Sequence, residues 1–256
     1  MLFDTHVHLN DSCYQNYKEI IDDALLNNVK KMVVIGYDLE SSKMAVKIAN
    51  EYPFIYASIG IHPSESLKDY KRDLIELEKL INDKVVAIGE IGLDYHYENI
   101  NKDNQKELFV LQLKLAKKYS LPITIHSRDA CNDTYLILKE YKDCYKKGIM
   151  HCYSYSLEMA KEFIKLGFIF GIGGVVTYKN AKELKRVVEN LELSKIVLET
   201  DAPYLSPTPF RGKTNIPSYI KYVAKEVALL KEESLSVIED ITYKNACDFF
   251  EVNYEN

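Results

Sequence analysis

Six side chains in this 256-residue sequence stand out, because each closes or follows a short apolar run and each can bind a proton or a cation. Asp4-Thr5-His6-Val7-His8 carries two histidines one residue apart. On an extended chain alternate side chains share a face, so both imidazoles point the same way. Glu90 follows Val85-Val86-Ala87-Ile88-Gly89, His126 closes Leu121-Pro122-Ile123-Thr124-Ile125, His151 closes Gly148-Ile149-Met150, and Asp201 follows Ile196-Val197-Leu198-Glu199-Thr200. Taken singly, each has an ordinary explanation. The His-x-His pair could be polar loop residues, Glu90 a partner of Arg or Lys, His126 and His151 hydrogen-bonded core histidines, and Asp201 a turn cap before Ala202-Pro203. Four histidines and two carboxylates at the ends of separate apolar runs are better explained together. Imidazole and carboxylate without thiolate suit zinc, manganese or magnesium, and six ligands exceed what one four-coordinate zinc with an open position uses. Two divalent metal ions are the expected cofactors. Glu90 is the natural bridge, since a carboxylate can offer one oxygen to each of two cations roughly 3.5–4 Å apart.

The elements that must carry these residues alternate along the whole chain. Strand candidates are Leu2–His6, Lys31–Gly36, Ile55–His62, Val85–Gly89, Pro122–His126, Gly148–His151, Phe168–Gly173 and Ile196–Thr200, with helical periodicity between them, as in Gln105–Tyr119 and Ala181–Asn190. Strand–helix alternation with short crossings gives parallel strands. Eight such units in about 250 residues predict a single-domain α/β fold over 1–256, a (β/α)8 TIM barrel, ahead of an open doubly wound sheet. In a barrel the strand ends converge on one face, where barrel enzymes place their catalytic groups. Leu205–Pro217 contains Pro207, Pro209, Gly212 and Pro217, and reads as a long loop after the eighth strand. A helical pattern resumes from Ser218 through Leu230, followed by terminal helices over Ser234–Glu239 and Thr242–Phe250.

Composition narrows the chemistry. With 33 basic and 38 acidic residues the formal charge is −5, so there is no overall basic field to hold polyanions and any nucleic-acid contact must be local. No apolar run approaches the roughly 20 residues of a membrane span, and Met1-Leu2-Phe3-Asp4 opens no signal-like stretch, so a cytoplasmic protein without a membrane partner is expected. The five cysteines are scattered without a Cys-x-x-Cys pair, which suggests neither a disulfide framework nor a thiolate zinc site. Gly171-x-Gly173-Gly174 lacks the Lys and Ser or Thr of a nucleotide-binding loop, and there is no serine nucleophile elbow. Metal-activated water is left as the supported nucleophile, acting on an anionic substrate.

Across nearly its whole length the sequence resembles the TatD family of metal-dependent deoxyribonucleases, among the amidohydrolase-like barrel hydrolases. The resemblance is carried by Asp4-Thr5-His6-Val7-His8-Leu9, Gly60-Ile61-His62-Pro63, Gly89-Glu90-Ile91-Gly92-Leu93-Asp94-Tyr95, Pro122 to Ala130 around His126-Ser127-Arg128, His151-Cys152-Tyr153-Ser154, Glu199-Thr200-Asp201-Ala202-Pro203-Tyr204-Leu205, and Pro209-Phe210-Arg211-Gly212-Lys213 with Asn215 and Pro217. It implies that His6, His8, Glu90 and Asp201 hold one metal and that Glu90, His126 and His151 hold a second. It also implies divalent-metal-dependent DNA hydrolysis, often exonucleolytic. Tyr155 departs from the small residue common after the His-Cys-aromatic-Ser segment and bears only on loop shape.

In this reading Asp201 accepts or orients the water proton beside Glu90, and Arg128 grips a phosphate oxygen or holds an acidic ligand. His62 is open to three roles: a hydrogen-bonding or phosphate contact, a structural role in the Gly60–Pro63 turn, or metal binding. Arg211 and Lys213 are candidates for phosphate contact, Asp129 for capping the following helix, and Tyr95 and His96 for lining the cleft. The expected partner is DNA, at single-stranded ends, because an acidic chain with a deep site does not track intact duplex by charge. Two alternatives stay open. The same metals could polarise a carbonyl, making an acyl, amide or ester hydrolase, including one for aminoacyl-tRNA esters, or the chain could be a metal-bearing scaffold without activity.

Overall fold

The structure is a computed structural model describing residues 1–255. The apolar runs form eight strands: β1 (Leu2–Val7), β2 (Val29–Ile35), β3 (Ile55–Ile59), β4 (Val85–Asp94), β5 (Ile123–Arg128), β6 (Gly148–Met150), β7 (Phe168–Ile172) and β8 (Ile196–Leu198). They lie in the sheet in chain order, each parallel to the next. That order has no reversal point, which excludes a doubly wound sheet. The segment after β8 closes the ring against β1. Asp201 N–H donates to His6 O at 2.9 Å and His8 N–H to Ala202 O at 2.8 Å, and Val7 and Ala202 form a parallel bridge. Asp4, fully buried at this seam, accepts from the Thr200 amide at 2.9 Å and the Thr200 hydroxyl at 2.5 Å; burial pushes its carboxyl up to about 8. The fold is the expected TIM barrel.

Nine α-helices occur among the described residues: α1 (Tyr17–Leu26), α2 (Leu39–Glu51), α3 (Tyr70–Glu78), α4 (Lys102–Tyr119), α5 (Cys131–Glu140), α6 (Leu157–Lys165), α7 (Lys182–Asn190), α8 (Ile220–Lys231) and α9 (Leu235–Phe250). None is long and apolar enough to cross a membrane. α4 shows how a helix can hold the catalytic end. It is capped by Asn101, whose side chain accepts from Asn104 N–H at 3.0 Å, and it buries Leu108, Phe109, Gln112, Leu115 and Ala116. Its two buried amides each grip a backbone segment in both directions. Gln112 accepts from Ile61 N–H at 2.7 Å and donates to Ile61 O at 2.9 Å; Gln105 does the same for Asp94 at 2.9 and 2.8 Å. Each reciprocal pair satisfies a buried amide and a buried peptide together. The residues that follow, His62 and Tyr95, start from fixed points.

Several boundaries differ from the sequence reading. β4 does not stop at Gly89 but runs to Asp94, because Gly92 lets the strand press against β5: a Cβ there would lie 2.0 Å from His126 O. Pairing therefore continues from Gly92 opposite His126 to Asp94 opposite Arg128, and β5 itself extends to Arg128. β3 ends at Ile59 rather than His62, since His62 caps a short 3-10 turn, Pro63–Glu65. The two terminal helices are one, α9; it contains neither Gly nor Pro, and Thr242 bonds back to Ile238 O at 2.8 Å inside it.

Candidate active site

Five strands bring the six candidate ligands to one end of the barrel. His6 and His8 share a face as the alternation requires, with ring centroids 5.1 Å apart. His6 Nε2 lies 3.6 Å from Glu90 Oε2 and 3.8 Å from Asp201 Oδ1, and His8 Nε2 lies 3.4 Å from Asp201 Oδ1. On the other side of Glu90, its Oε1 is 2.7 Å from His126 Nδ1 and 3.7 Å from His151 Nε2; the latter atom is also 3.8 Å from Asp201 Oδ1. The two oxygens of Glu90 thus face different histidines, as a bridging carboxylate would. Coordinating atoms of His6, His8 and Glu90 lie within 4.8 Å of one another, as do those of His6, His151 and Glu199, and of His62, Asp94 and His126.

Two of the histidines have the far nitrogen hydrogen-bonded to an acceptor, and a third has it at ion-pair distance from a carboxylate. His8 Nδ1 is 3.3 Å from Ile35 O, His126 Nε2 is 3.0 Å from Asp94 Oδ2, and His151 Nδ1 is 3.0 Å from Glu199 Oε1. Such a partner orients the ring and turns the opposite nitrogen toward the cluster, where it could bind a cation. Glu199 is itself held by Cys152 N–H, which donates to Oε1 at 2.6 Å, and it fits because residue 171 is glycine: a Cβ there would lie 2.1 Å from Glu199 Oε2. Asp94 and Glu199 escaped the sequence reading. The signal was the period of two, which sets Asp94 in phase with Glu90 and Glu199 in phase with Asp201.

The electrostatics fit a cation. Burial disfavours charge on His126 and His151, yet neighbouring carboxylates outweigh it: Asp94 and Glu90 raise His126 to about 9, and Glu199 and Asp201 raise His151 to about 10. Burial likewise opposes ionisation of Glu90 and Asp201. The surrounding imidazoles more than offset it, holding Glu90 well below the usual carboxylate range and Asp201 below its ordinary value. His6 is different. Burial and His151 lower its pKa, and both of its ring nitrogens are buried without a hydrogen-bond partner. A buried imidazole without hydrogen bonds is costly, and a metal ion would satisfy Nε2, the nitrogen that faces Glu90 and Asp201. The donor set, imidazole and carboxylate only, fits a divalent ion.

The cluster opens into a cavity of about 630 Å³, whose lining includes His62, Tyr97, Arg128, Tyr204 and Leu205. His62 serves its turn, with Nδ1 accepting from Ser64 N–H at 3.1 Å. Burial and His126 push its pKa down to about 3, so it is neutral, and its ring meets that of His126 edge-on at 4.3 Å. Arg128 stands at the rim with its guanidinium 5.9 Å from the Tyr97 ring. Arg211 and Lys213 are not brought into the lining; Arg211 lies over the Tyr178 ring at 4.3 Å. Asp129 does not cap α5, whose N-cap position is Ala130 and carries no side-chain cap; it lies 3.0 Å from His96 Nδ1 instead. Tyr95 turns away to donate to Asp133 at 2.8 Å, so Tyr97, rather than Tyr95 or His96, lines the cleft. Tyr155 props the end of β5, its hydroxyl 2.8 Å from Ser127 Oγ.

A parallel eight-stranded barrel with histidines and carboxylates gathered at its strand ends defines the class, a metal-dependent barrel hydrolase. The chain belongs to the family described as TatD related DNase, which matches residues 3–251. It is 47% identical over 255 residues to YabD of Bacillus subtilis, an uncharacterized metal-dependent hydrolase, covering 99% of this chain and 100% of that protein. Among solved structures it is similar to the TatD homologue YjjV of Escherichia coli, with a TM-score of 0.94, 32% identity and 98% of each chain covered. It is also similar to a TatD family hydrolase from Entamoeba histolytica, with a TM-score of 0.86, 25% identity and 97% of each chain covered.

Proposed function

We propose that this metal-dependent hydrolase is a deoxyribonuclease that cleaves phosphodiester bonds at single-stranded DNA ends, with two divalent ions held by its six clustered ligands. The observation that carries the reading is Glu90, whose two oxygens face His6 on one side and His126 and His151 on the other. His6, His8, Glu90 and Asp201 would hold one ion, and Glu90, His126 and His151 the other. Divalent ions there would supply a nucleophilic water at neutral pH and neutralise charge building on the phosphate oxygens.

The remaining work falls to the chain. Asp201, kept ionised by the histidines around it, accepts or orients the proton of the attacking water. Arg128 is the one Lys or Arg lining the cavity among the described residues, and its planar fork suits a phosphate better than a neutral carbonyl. Because His62 Nδ1 is occupied by Ser64 N–H, its proton sits on Nε2, a neutral donor for a phosphate oxygen. Arg211 and Lys213 serve phosphates further along the strand. The testing experiment is turnover of an end-labelled single-stranded oligonucleotide by metal-depleted protein, with zinc, manganese or magnesium added back, beside a panel of ester and amide substrates that includes aminoacyl-tRNA. Metal-restored cleavage of the oligonucleotide supports the reading. Metal-restored hydrolysis confined to the acyl panel overturns it.

A further inference from the structure

Three large apolar side chains that the fold leaves exposed border the same cavity: Tyr97 is 60% exposed, Tyr204 51% and Leu205 39%. Leaving such surface in water forgoes the stabilisation that burial brings, and here the backbone is built to keep it outward. Leu205 has φ 51°, a left-handed conformation uncommon for a side chain other than Gly, Asn or Asp. Three contacts hold that conformation. Tyr204 N–H donates to Asp201 O at 2.8 Å, and Asn215, fully buried, donates to Tyr204 O at 2.7 Å and to Thr200 O at 2.8 Å. The Leu205 carbonyl then lies over Gly174, where a Cβ would approach it to 2.1 Å. The Tyr204 hydroxyl is anchored on Asp11 at 2.7 Å, with its ring centroid 5.9 Å from that of His8. A rigid apolar platform therefore adjoins a candidate metal ligand, while Tyr97 carries the Arg128 guanidinium beside its ring.

We propose that Tyr97, Tyr204 and Leu205 form a receptor for one unpaired nucleobase, the terminal base of the strand whose phosphodiester enters the cluster. Flat π-faces stack on aromatic and apolar side chains whatever the base, and Arg128 beside Tyr97 supplies the cation for the adjoining phosphate. A base paired in duplex has no free face to offer. This makes the end single-stranded or frayed, and it rests on the phosphodiester reading above.

The test uses the metal-loaded full chain and matched single-stranded oligonucleotides carrying a normal nucleotide or a tetrahydrofuran abasic analogue at one terminus, with each terminus tried in turn. Stacking is worth about 1–3 kcal/mol per base, so the abasic analogue at the attacked end should raise KM about tenfold with a smaller change in kcat. Leu205→Ala and Tyr97→Ala should each raise KM for the normal strand and shrink the abasic penalty, with metal content and the folded circular-dichroism signal retained. If normal and abasic ends are cleaved with equal KM, the base receptor is wrong and the phosphodiester reading survives. If no oligonucleotide is cleaved by metal-loaded protein, both fall together.

Discussion

The two ends of the barrel bury opposite chemistry. Near the strand starts, α9 lays Tyr243, Phe249 and Phe250 against Phe3 of β1, Val33 of β2, Val86 of β4, Ile149 of β6 and Val197 of β8, with Phe3 and Phe250 rings 5.8 Å apart. Near the strand ends the interior is instead filled by His6, His8, Glu90, His151 and Glu199, all buried, with both nitrogens of His6 lacking a hydrogen-bond partner. Apolar packing stabilises a fold as it stands, whereas buried ionisable groups stabilise it only once their partners are complete. One end therefore holds the barrel together, and the other spends that stability on a cluster of ionisable side chains suited to cations.

The largest effect is expected at the packed end. Phe250→Ala should cost about 3–5 kcal/mol of folding stability, read by denaturant unfolding. The fraction that remains folded should keep its metal content and turnover; loss of metal binding in folded protein would show that the two ends are coupled. Asp201→Asn should do the reverse. Asn keeps the size and one oxygen but cannot accept a proton as carboxylate does, so turnover at saturating metal should fall by at least about a hundredfold with melting temperature near that of the parent. Parental turnover in that variant would move the proton acceptor elsewhere.

A smaller effect sharpens the division within the polar end. Glu199→Gln keeps the shape beside His151 but removes the charge, and loss of such an orienting carboxylate is typically worth about 10–100-fold in metal affinity. Equilibrium metal titration reads it, and an unchanged affinity would make Glu199 a packing residue. Smallest of all, Arg128→Ala should raise KM for oligonucleotide about tenfold, the lower end of what a charge-assisted contact contributes because the guanidinium is exposed to solvent, while leaving metal content unaltered. A metal deficit there would assign Arg128 to the scaffold of the site.

Much of this contrast was legible in the sequence, for identifiable reasons. Alternating apolar runs and helical periods mark eight units, and buried strands ending in His, Glu or Asp break that pattern conspicuously, so the six clustered side chains and the barrel both emerged. What stayed hidden depends on close approach between segments distant in sequence. The strand read as Val85–Gly89 leaves out Gly92 and Asp94, whereas the missing Cβ of Gly92 lets β4 run on beside β5 to Asp94. Asp94 and Glu199 acquire meaning only from His126 and His151, on other strands. Likewise the exposure of Tyr97 and Leu205 at one mouth is a property of the fold, not of any local pattern.

Glu90 is central to the proposed two-metal site, because its two oxygens face His6 on one side and His126 and His151 on the other. Its most direct test is metal stoichiometry, by equilibrium dialysis with elemental analysis, of the parent and of Glu90→Gln. We expect two equivalents of divalent metal per chain in the parent and fewer than two in Glu90→Gln, with the folded circular-dichroism signal kept in both. Two tightly held equivalents in Glu90→Gln would contradict the bridge, and with it the arrangement of the site around Glu90.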